Sequence, residues 1–419
     1  MIVSAETAWI KIALRNLIKN RRRSLFTMLA VMLGFAAVNL FGGFTAYMYQ
    51  ANREGAIYSA FQGHLTIAGK GFFENDRFDP QRLLLTPQEM SEIEQACQTI
   101  PEIVLVTPQL RLNGIITDGK VSTIFIAQGY VPSSREAFMK GTRLKMMEPF
   151  DGKNLEDDAP SCIGISRGLS RFLNLKFGSD VVVMATTAEG QMNALDAEIC
   201  QLFDAPLSAL NDRFIRVPFQ FAQQLYDTDG AHVMSVLLDK TSQTESVRNQ
   251  LQKIFEIKHL NIEVKTWSEL SEWYIRVKNM FDVIFLFLFI IVFIIVTMSV
   301  INTMSMAVLE RTREIGTLRS LGLKRRGVLF LFAIESFMIG IGGVLGGSLV
   351  SFIVWLGINY YKPIWTPPGV TVQIPLRILF TVEFLFYSVG LMLILCLVAS
   401  LVPARRAANQ NVVDALGHV

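Results

Sequence analysis

Four long runs without a charged side chain interrupt this chain: Ser24–Asn52, Val283–Leu309, Ser336–Tyr361 and Phe384–Ala404. About 20 apolar residues cross the ~30 Å hydrocarbon layer of a bilayer, so each run is long enough for a transmembrane helix. A charged side chain at the centre of such a helix costs ~2.5–3.5 kcal/mol on insertion scales, so the gaps in charge are as informative as the apolar content. A buried helix of a soluble protein would explain one such run, not four. The layout is uneven: one run, then a polar stretch over residues 53–272, then three runs in quick succession.

Lys and Arg in the short flanks set the expected orientation. Lys11, Arg15, Lys19, Arg21, Arg22 and Arg23 precede the first run; Arg311, Arg313, Arg319, Lys324, Arg325 and Arg326 lie between the second and third; Arg405 and Arg406 follow the fourth. Between the third and fourth there is only Lys362, with Arg377 at the far edge. The expected arrangement is a multi-pass membrane protein with both termini cytosolic. The predicted divisions are a cytosolic amphipathic helix at 1–23, spans at 24–52, 273–307 (with a stalk), 327–358 and 377–403, an extracytoplasmic domain at 53–272, a cytosolic segment at 308–326, an external loop at 359–376 and a cytosolic tail at 404–419. The first run is too long for a signal peptide, and Phe41-Gly-Gly-Phe44 is a poor cleavage site. Trp9, Ile12, Ala13, Leu17 and Ile18 recur at helical spacing beside Lys11, Arg15 and Lys19, which suits a basic helix on the cytosolic leaflet; a plain solvated helix is the alternative. The net charge of +3 follows from this basic bias and leaves no patch for nucleic acid.

Residues 53–272 carry signals for helices and strands, so the fold class is a membrane protein of four transmembrane helices with a large α+β extracytoplasmic domain inserted between helices 1 and 2. Two lobes and two helical stalks are expected. Thr86-Pro87-Gln88-Glu89 starts a helix, with a Thr cap, Pro at the first position and Glu at the third. Asp118-Gly119 sits between two strand-like runs and predicts a hairpin; Glu189-Gly190 predicts a second, weaker one. Ser242–Phe255 reads as a helix, Ile262–Lys265 as a strand, and Ser268 as the cap of a last helix leading into the second span. Cys97, Cys162 and Cys200 fall on the external side, where an oxidising compartment permits a disulfide. Cys162 with Cys200 is the favoured pair because both lie near strands, and three free thiols is the alternative.

Catalytic chemistry has little support. His64, His232, His259 and His418 are scattered without metal-ligand spacing. Gly164-Ile-Ser-Arg-Gly168 matches G-x-S-x-G formally, but that motif needs a partner His and acid. No G-x-x-x-x-G-K-[ST] run is present to cradle a nucleotide phosphate. The expectation is a non-enzyme with no cofactor of its own; if it is energised by ATP, the ATP and Mg belong to a separate ATPase subunit.

The strongest functional candidate is the 308–326 segment. Ile315, Leu318 and Leu321 share one helical face, while Glu310 and Glu314 lie near Arg311, Arg313 and Arg319 for intrahelical ion pairs; Gly322 stops the helix. Such a helix either docks in a groove on a cytosolic partner or rests on lipid headgroups. In the third span Gly342, Gly343, Gly346 and Gly347 give two G-x-x-x-G spacings, which let helices approach closely in lipid, either within the chain or against a second copy. Glu335 lies near the membrane surface, as an interfacial group or the partner of a nearby Arg. Pro363, Pro367, Pro368 and Pro375 stiffen the outer loop, and Trp365 suits the headgroup layer.

With the topology in hand, three motifs resemble one family. They are the lead-in Ala13-Leu-Arg-Asn-Leu-Ile-Lys-Asn-Arg-Arg-Arg-Ser24, the segment Val308-Leu-Glu-Arg-Thr-Arg-Glu-Ile-Gly-Thr-Leu-Arg-Ser-Leu-Gly322, and the ending Pro403-Ala-Arg-Arg-Ala-Ala408 with Val413-Asp-Ala-Leu416. Together they are similar to ABC permeases of the MacB, LolC/LolE and FtsX superfamily, the mechanotransmission (type VII) class. The resemblance implies a dimer with a second copy or a paralogue, two cytosolic ATPase subunits contacted by Glu310, Arg311, Arg313, Glu314, Ile315, Leu318, Arg319 and Leu321, and movement relayed to the external domain without a substrate channel. The ATPase–permease fusion of MacB itself is not expected, since no Walker motif precedes the first span. Membrane lipids and a periplasmic adaptor or acceptor protein are the other implied partners. Export or extraction of a lipophilic substrate, such as a lipoprotein or amphipathic compound, is favoured; control of an extracytoplasmic enzyme, or antimicrobial-peptide sensing, is the alternative.

Overall fold

The structure, a computed structural model, describes residues 2–75, 83–142, 148–205, 207–366, 369–371 and 373–411, with side chains from Trp9 onward except Ile10. In chain order the elements are α1 (Ile2–Lys19), α2 (Arg21–Glu54), β1 (Leu65–Gly69), α3 (Phe72–Asn75), α4 (Pro87–Gln98), β2 (Ile103–Thr117), β3 (Ser122–Tyr130), α5 (Arg135–Lys140), β4 (Pro149–Gly152), β5 (Cys162–Ser166), α6 (Arg167–Leu173), β6 (Asp180–Thr186) and β7 (Met192–Phe203). They continue with β8 (Phe214–Pro218), α7 (Phe219–Tyr226), β9 (Val233–Leu238), α8 (Thr244–Ile257), β10 (Ile262–Thr266), α9 (Trp267–Leu270), α10 (Glu272–Glu310), α11 (Thr312–Ser320), α12 (Arg325–Tyr361), β11 (Ile364–Trp365), β12 (Ile374–Pro375) and α13 (Val382–Asn409). Two compact units result: residues 1–48, 278–363 and 376–419, and residues 49–277 with 364–375.

The first unit is helical. Helices α2, α10, α12 and α13 are each long and apolar enough to cross a membrane, and all four outrun the charge-free runs that announced them. Val31 and Phe35 of α2, Val300 and Met304 of α10, Phe332 and Ile339 of α12, and Cys396 and Ala399 of α13 form its core. Lipid offers no hydrogen bonds, so a polar side chain inside the bundle gains by pairing with a protein group, though the Ser336 and Ser351 hydroxyls are buried without such a partner. Asn39 donates to the Phe35 carbonyl at 2.9 Å and accepts from Ser388 at 3.0 Å, and Thr27 bonds Thr303. Helix α1 buries Ala13 and Leu17 and sets Trp9 edge-on to Phe330, but leaves Ile12 and Ile18 exposed. The apolar set read from the sequence is therefore divided between two sides of that helix.

The glycines of α12 decide the packing question within this chain. A Cβ on Gly343 would lie 2.5 Å from Val31 Cβ, and one on Gly347 would lie 2.7 Å from the Met32 carbonyl oxygen. Gly342 and Gly346 face Met28 and Met32 in the same way. All four are occupied by α2, so the close approach they permit is within one chain. By contrast Gly357, on the same helix, has nothing within 4 Å of its Cβ position.

The second unit is α+β. Its ten strands run β10-β1-β9-β2-β3-β8-β5-β7-β4, and β6 pairs with both β2 and β7. Strands β2, β3, β8, β5, β7 and β6 therefore close a ring, with β3–β8 and β5–β7 parallel and the other contacts antiparallel. Closure removes free edges and encloses one core, including Leu112, Ile116, Ile165, Val183, Ile199 and Ile215, with Leu225 of α7 against it. At the joint between β2 and β6 a Cβ on Gly114 would overlap the Met184 carbonyl oxygen, so the closure needs a glycine there. Beyond β2, strands β9, β1 and β10 pack against α4 and α8 around a second core containing Ile67, Ile93, Val236, Leu251 and Phe255. The two expected lobes are thus two cores that share β2.

Local signals held well here. Asp118-Gly119 turns β2 into β3 with Thr117 opposite Ser122, and Glu189-Gly190 turns β6 into β7 with Thr186 opposite Met192. Thr86 forms a full capping box with Glu89. The cap expected at Ser268 is instead Thr266, which pairs with Glu269 to start the short α9; the chain then breaks at Ser271 before α10 begins. Residues 364–375, between α12 and α13, also belong to this unit: Ser208 N donates to the Gly369 carbonyl at 3.0 Å, and Leu207 bridges Val370. Pro367 and Pro368 lie outside the described residues.

Two buried polar groups had no sequence signal. Arg216, on β8, is fully buried with its guanidinium against the rings of Phe61, Tyr130 and Phe203. Burial pushes it down to about 10, so it stays charged at neutral pH. His64 accepts from Leu238 N at 3.0 Å through Nδ1, which assigns the proton to Nε2, facing Thr241 Oγ1 at 3.1 Å. Burial, and then the charge of Arg53, push its pKa down to about 4 from the usual 6.5.

Two predictions follow from this packing. Gly347→Ala should lower the thermal midpoint of the full chain in detergent, by the equivalent of ~1–3 kcal/mol for overpacking, while Gly357→Ala leaves it unchanged or raises it slightly. His64 is neutral when folded, so its contribution is complete above about pH 6.5 and is lost as pH falls toward about 4. The loss is on the order of 3 kcal/mol at most. The thermal midpoint of the wild type should fall as pH is lowered over that interval, and His64→Gln should flatten the step.

Candidate functional site

The segment between the second and third spans is a sharp turn, and its charges pair differently from the sequence expectation. Helix α10 runs to Glu310, Arg311 leaves helical geometry at φ −114°, ψ 13°, and α11 starts at Thr312. It ends where Gly322 adopts φ +100°, a region that favours glycine. The predicted intrahelical pairs of Glu310 and Glu314 with Arg311, Arg313 and Arg319 are not what forms. Glu310 instead accepts from Arg23 at 2.8 Å and Asn20 at 3.2 Å, and Glu314 lies 3.9 Å from Lys19. Arg311 donates to Glu335 Oε1 at 2.7 Å, and Arg319 donates to the Gln410 carbonyl. Each charge reaches a different element because helix α1, the start of α2, α12 and the end of α13 all converge on this turn.

These contacts differ greatly in weight. Arg311 and Glu335 are 7% and 2% exposed, and Asn16 of α1 donates to the same Glu335 oxygen at 2.7 Å. Removing one partner of a buried ion pair leaves an uncompensated charge and costs ~3–5 kcal/mol. Arg23–Glu310 is a half-exposed pair and Lys19–Glu314 an exposed one; such pairs contribute ~0–1 kcal/mol. The buried pair therefore holds the turn, and the others decorate it. The reading of Glu335 as the partner of a nearby Arg is the one the structure shows.

The apolar face predicted for α11 is also divided. Ile315 is 4% exposed and anchors the helix, whereas Leu318 is 43% and Leu321 80% exposed. Arg313 and Glu314 are exposed beside them. Of the eight candidate contact residues, then, Arg311 and Ile315 are buried in the bundle, Glu310 and Arg319 bind other elements, and Arg313, Glu314, Leu318 and Leu321 form an outward surface. Val413–Leu416, the end of the C-terminal motif, lies outside the described residues.

Elsewhere a disulfide joins Cys162 and Cys200 with Cα atoms 5.5 Å apart, while Cys97 and Cys396 are free and buried. Ser166 does sit at a strand-to-helix junction, between β5 and α6, but its hydroxyl is fully buried and donates to the Asn211 carbonyl at 2.7 Å. It is spent on a structural bond rather than presented as a nucleophile. Among the described residues no three His, Cys, Asp or Glu side chains converge as a metal site.

Two family matches cover most of the chain: the MacB-like periplasmic core domain over residues 24–254 and the FtsX-like permease C-terminal family over residues 284–412. The chain belongs to the MacB/FtsX family of ABC transporter permeases. As the first of these matches requires, the α+β unit is extracytoplasmic. Among relatives, this permease is similar to the macrolide export ATP-binding/permease protein MacB 1 of Yersinia pestis bv. Antiqua (strain Antiqua), 36% identical over 118 residues that make up 28% of this chain and 16% of that protein. It is equally similar to an uncharacterized ABC transporter permease, YvrN, of Bacillus subtilis (strain 168), 36% identical over 118 residues, 28% of this chain and 26% of that one. The chain thus matches only a small part of the length of these relatives. Among solved structures, the periplasmic region of MacB from Actinobacillus actinomycetemcomitans aligns at TM-score 0.37 and 10% identity, covering 50% of this chain and 90% of that one. The extracellular domain of YknZ from Gram-positive bacteria aligns at 0.34 and 15%, covering 48% and 99%. The assignment rests on the two family matches.

The unequal burial of the ion pairs is testable in this permease. Glu335→Gln should cost ~3 kcal/mol or more and Glu310→Gln less than ~1 kcal/mol, read as thermal midpoints of the full chain in the same detergent.

Proposed function

We propose that this permease works with a separate ATPase subunit, which binds ATP and Mg, and that it relays the ATPase's movement to the extracytoplasmic domain. Both termini and α11 are then cytosolic, in a bacterial inner membrane, as the distribution of Lys and Arg favours. The observation that carries the reading is the outward surface of α11. Arg313, Glu314, Leu318 and Leu321 combine exposed apolar and charged groups on a helix whose base is pinned by a buried ion pair. A helix that rests on a rigid base can transmit a push, and a short amphipathic helix suits a groove on a partner.

The route outward in this reading is along α2 (Arg21–Glu54) and α10 (Glu272–Glu310), the two helices that adjoin the α+β unit in sequence. Helix α10 leaves Val283, Phe287, Ile294 and Met298 exposed. This face is offered to lipid and to a second permease, identical or paralogous. The substrate class we favour is lipophilic or amphipathic, such as a lipoprotein, handed to a periplasmic adaptor or acceptor. The macrolide export named for the Yersinia relative is chemically of that class.

Leu318→Asp places a charge in the proposed contact, and Glu314→Lys reverses one. Either should abolish co-purification of the ATPase while the chain still inserts in the membrane. Normal assembly in both variants would remove α11 as the docking element.

A further inference from the structure

Helix α11 could be held by apolar packing alone, since Thr312 and Ile315 are buried beneath it. Apolar burial is non-directional and allows a short helix to swivel. Arg319 ties the far end of α11 to the Gln410 carbonyl; at its base the directional bonds meet at a single carboxylate oxygen. Glu335 Oε1, on α12, accepts from Arg311 Nη1 and from Asn16 Nδ2, both at 2.7 Å. Arg311 is the one residue between α10 and α11, and its carbonyl accepts the Ile315 amide of α11 at 2.9 Å. Three elements, α1, α12 and the turn, therefore meet at one atom, next to the first backbone bond of α11.

We propose that Glu335 is the positioning residue of this permease's coupling turn: it sets the angle at which α11 leaves the bundle, through Arg311, and ties that angle to α1 through Asn16. A hydrophobic replacement of a buried ion pair is often neutral or stabilising, so retention of charges at this depth is accounted for by direction rather than by stability. The positioning role stands on this geometry. Its use in coupling rests on α11 being the segment that meets the ATPase.

The two roles separate in a distance measurement on the full-length chain in nanodiscs, with spin labels at Leu321 and Leu349. Both sites are exposed, and Leu349 lies roughly 35 Å along α12 from its start; the native free cysteines, Cys97 and Cys396, are buried. In the parent the label–label distribution should be narrow. Glu335→Gln, which leaves Arg311 unneutralised, should broaden or shift it. The pair Arg311→Met with Glu335→Leu should recover the thermal midpoint lost in Glu335→Gln yet keep the broad distribution. A narrow, parent-like distribution in the double variant would overturn the proposal and assign the angle to Ile315 and Thr312. Glu335→Asp, which keeps the charge, should lie between parent and Glu335→Gln; a value as broad as Glu335→Gln would also count against it. The measurement contains no ATPase, so failure of Leu318→Asp to release the partner would sink the docking reading and leave this result standing, and the reverse holds equally.

Discussion

Hydrocarbon gives polar atoms nothing to bind, and this one constraint organises the helical unit. A polar side chain drawn toward the bundle is stabilised when it ends on another protein group. Toward the middle the solution is small, Asn39 with Ser388, and nearer the turn Thr27 bonds Thr303. Near the turn between α10 and α12 it is ionic, and the deepest member, Glu335, is satisfied twice over by Arg311 and Asn16. A helix end that would otherwise fray is thereby locked to two neighbours. The glycine stripe serves the same end by another means: lacking Cβ atoms, Gly343 and Gly347 bring α12 against the α2 backbone, where dispersion contacts replace an absent hydrophobic drive.

The external unit solves a different problem, that of unpaired strand edges in water. Closing β2, β3, β8, β5, β7 and β6 into a ring leaves no free edge among them, and β2 is long enough to serve a second sheet as well. Two cores on one shared strand cannot move far apart without breaking its ladder. Arg216, buried among three aromatic rings, adds a charged centre that favours one packing of those rings.

Much of this was legible from local pattern. The charge gaps located four spans because a misplaced charge in lipid is expensive. Asp118-Gly119 and Glu189-Gly190 located two hairpins because those turns need residues tolerant of positive φ, and Thr86 with Glu89 located a helix start because both partners of the box lie within one turn. Misreadings arose where two candidates competed locally or where the partner was distant. Ser268 and Thr266 are two residues apart, and the choice fell to the one whose third following residue is Glu269. Glu310 had Arg311, Arg313 and Arg319 close in sequence, yet it binds Arg23, because α2 starts beside the turn.

The chain's linear order was therefore enough to establish a membrane protein with a large inserted domain, since period, charge spacing and turn chemistry act over a few residues and need no knowledge of neighbours. Folding in three dimensions alone settled which charges neutralise one another, which face of α11 remains outside, which helix the glycines admit, and that six strands close on themselves. Those outcomes depend on distances between segments that are not neighbours along the chain, and a side chain's burial, unlike its chemistry, is a property of what surrounds it.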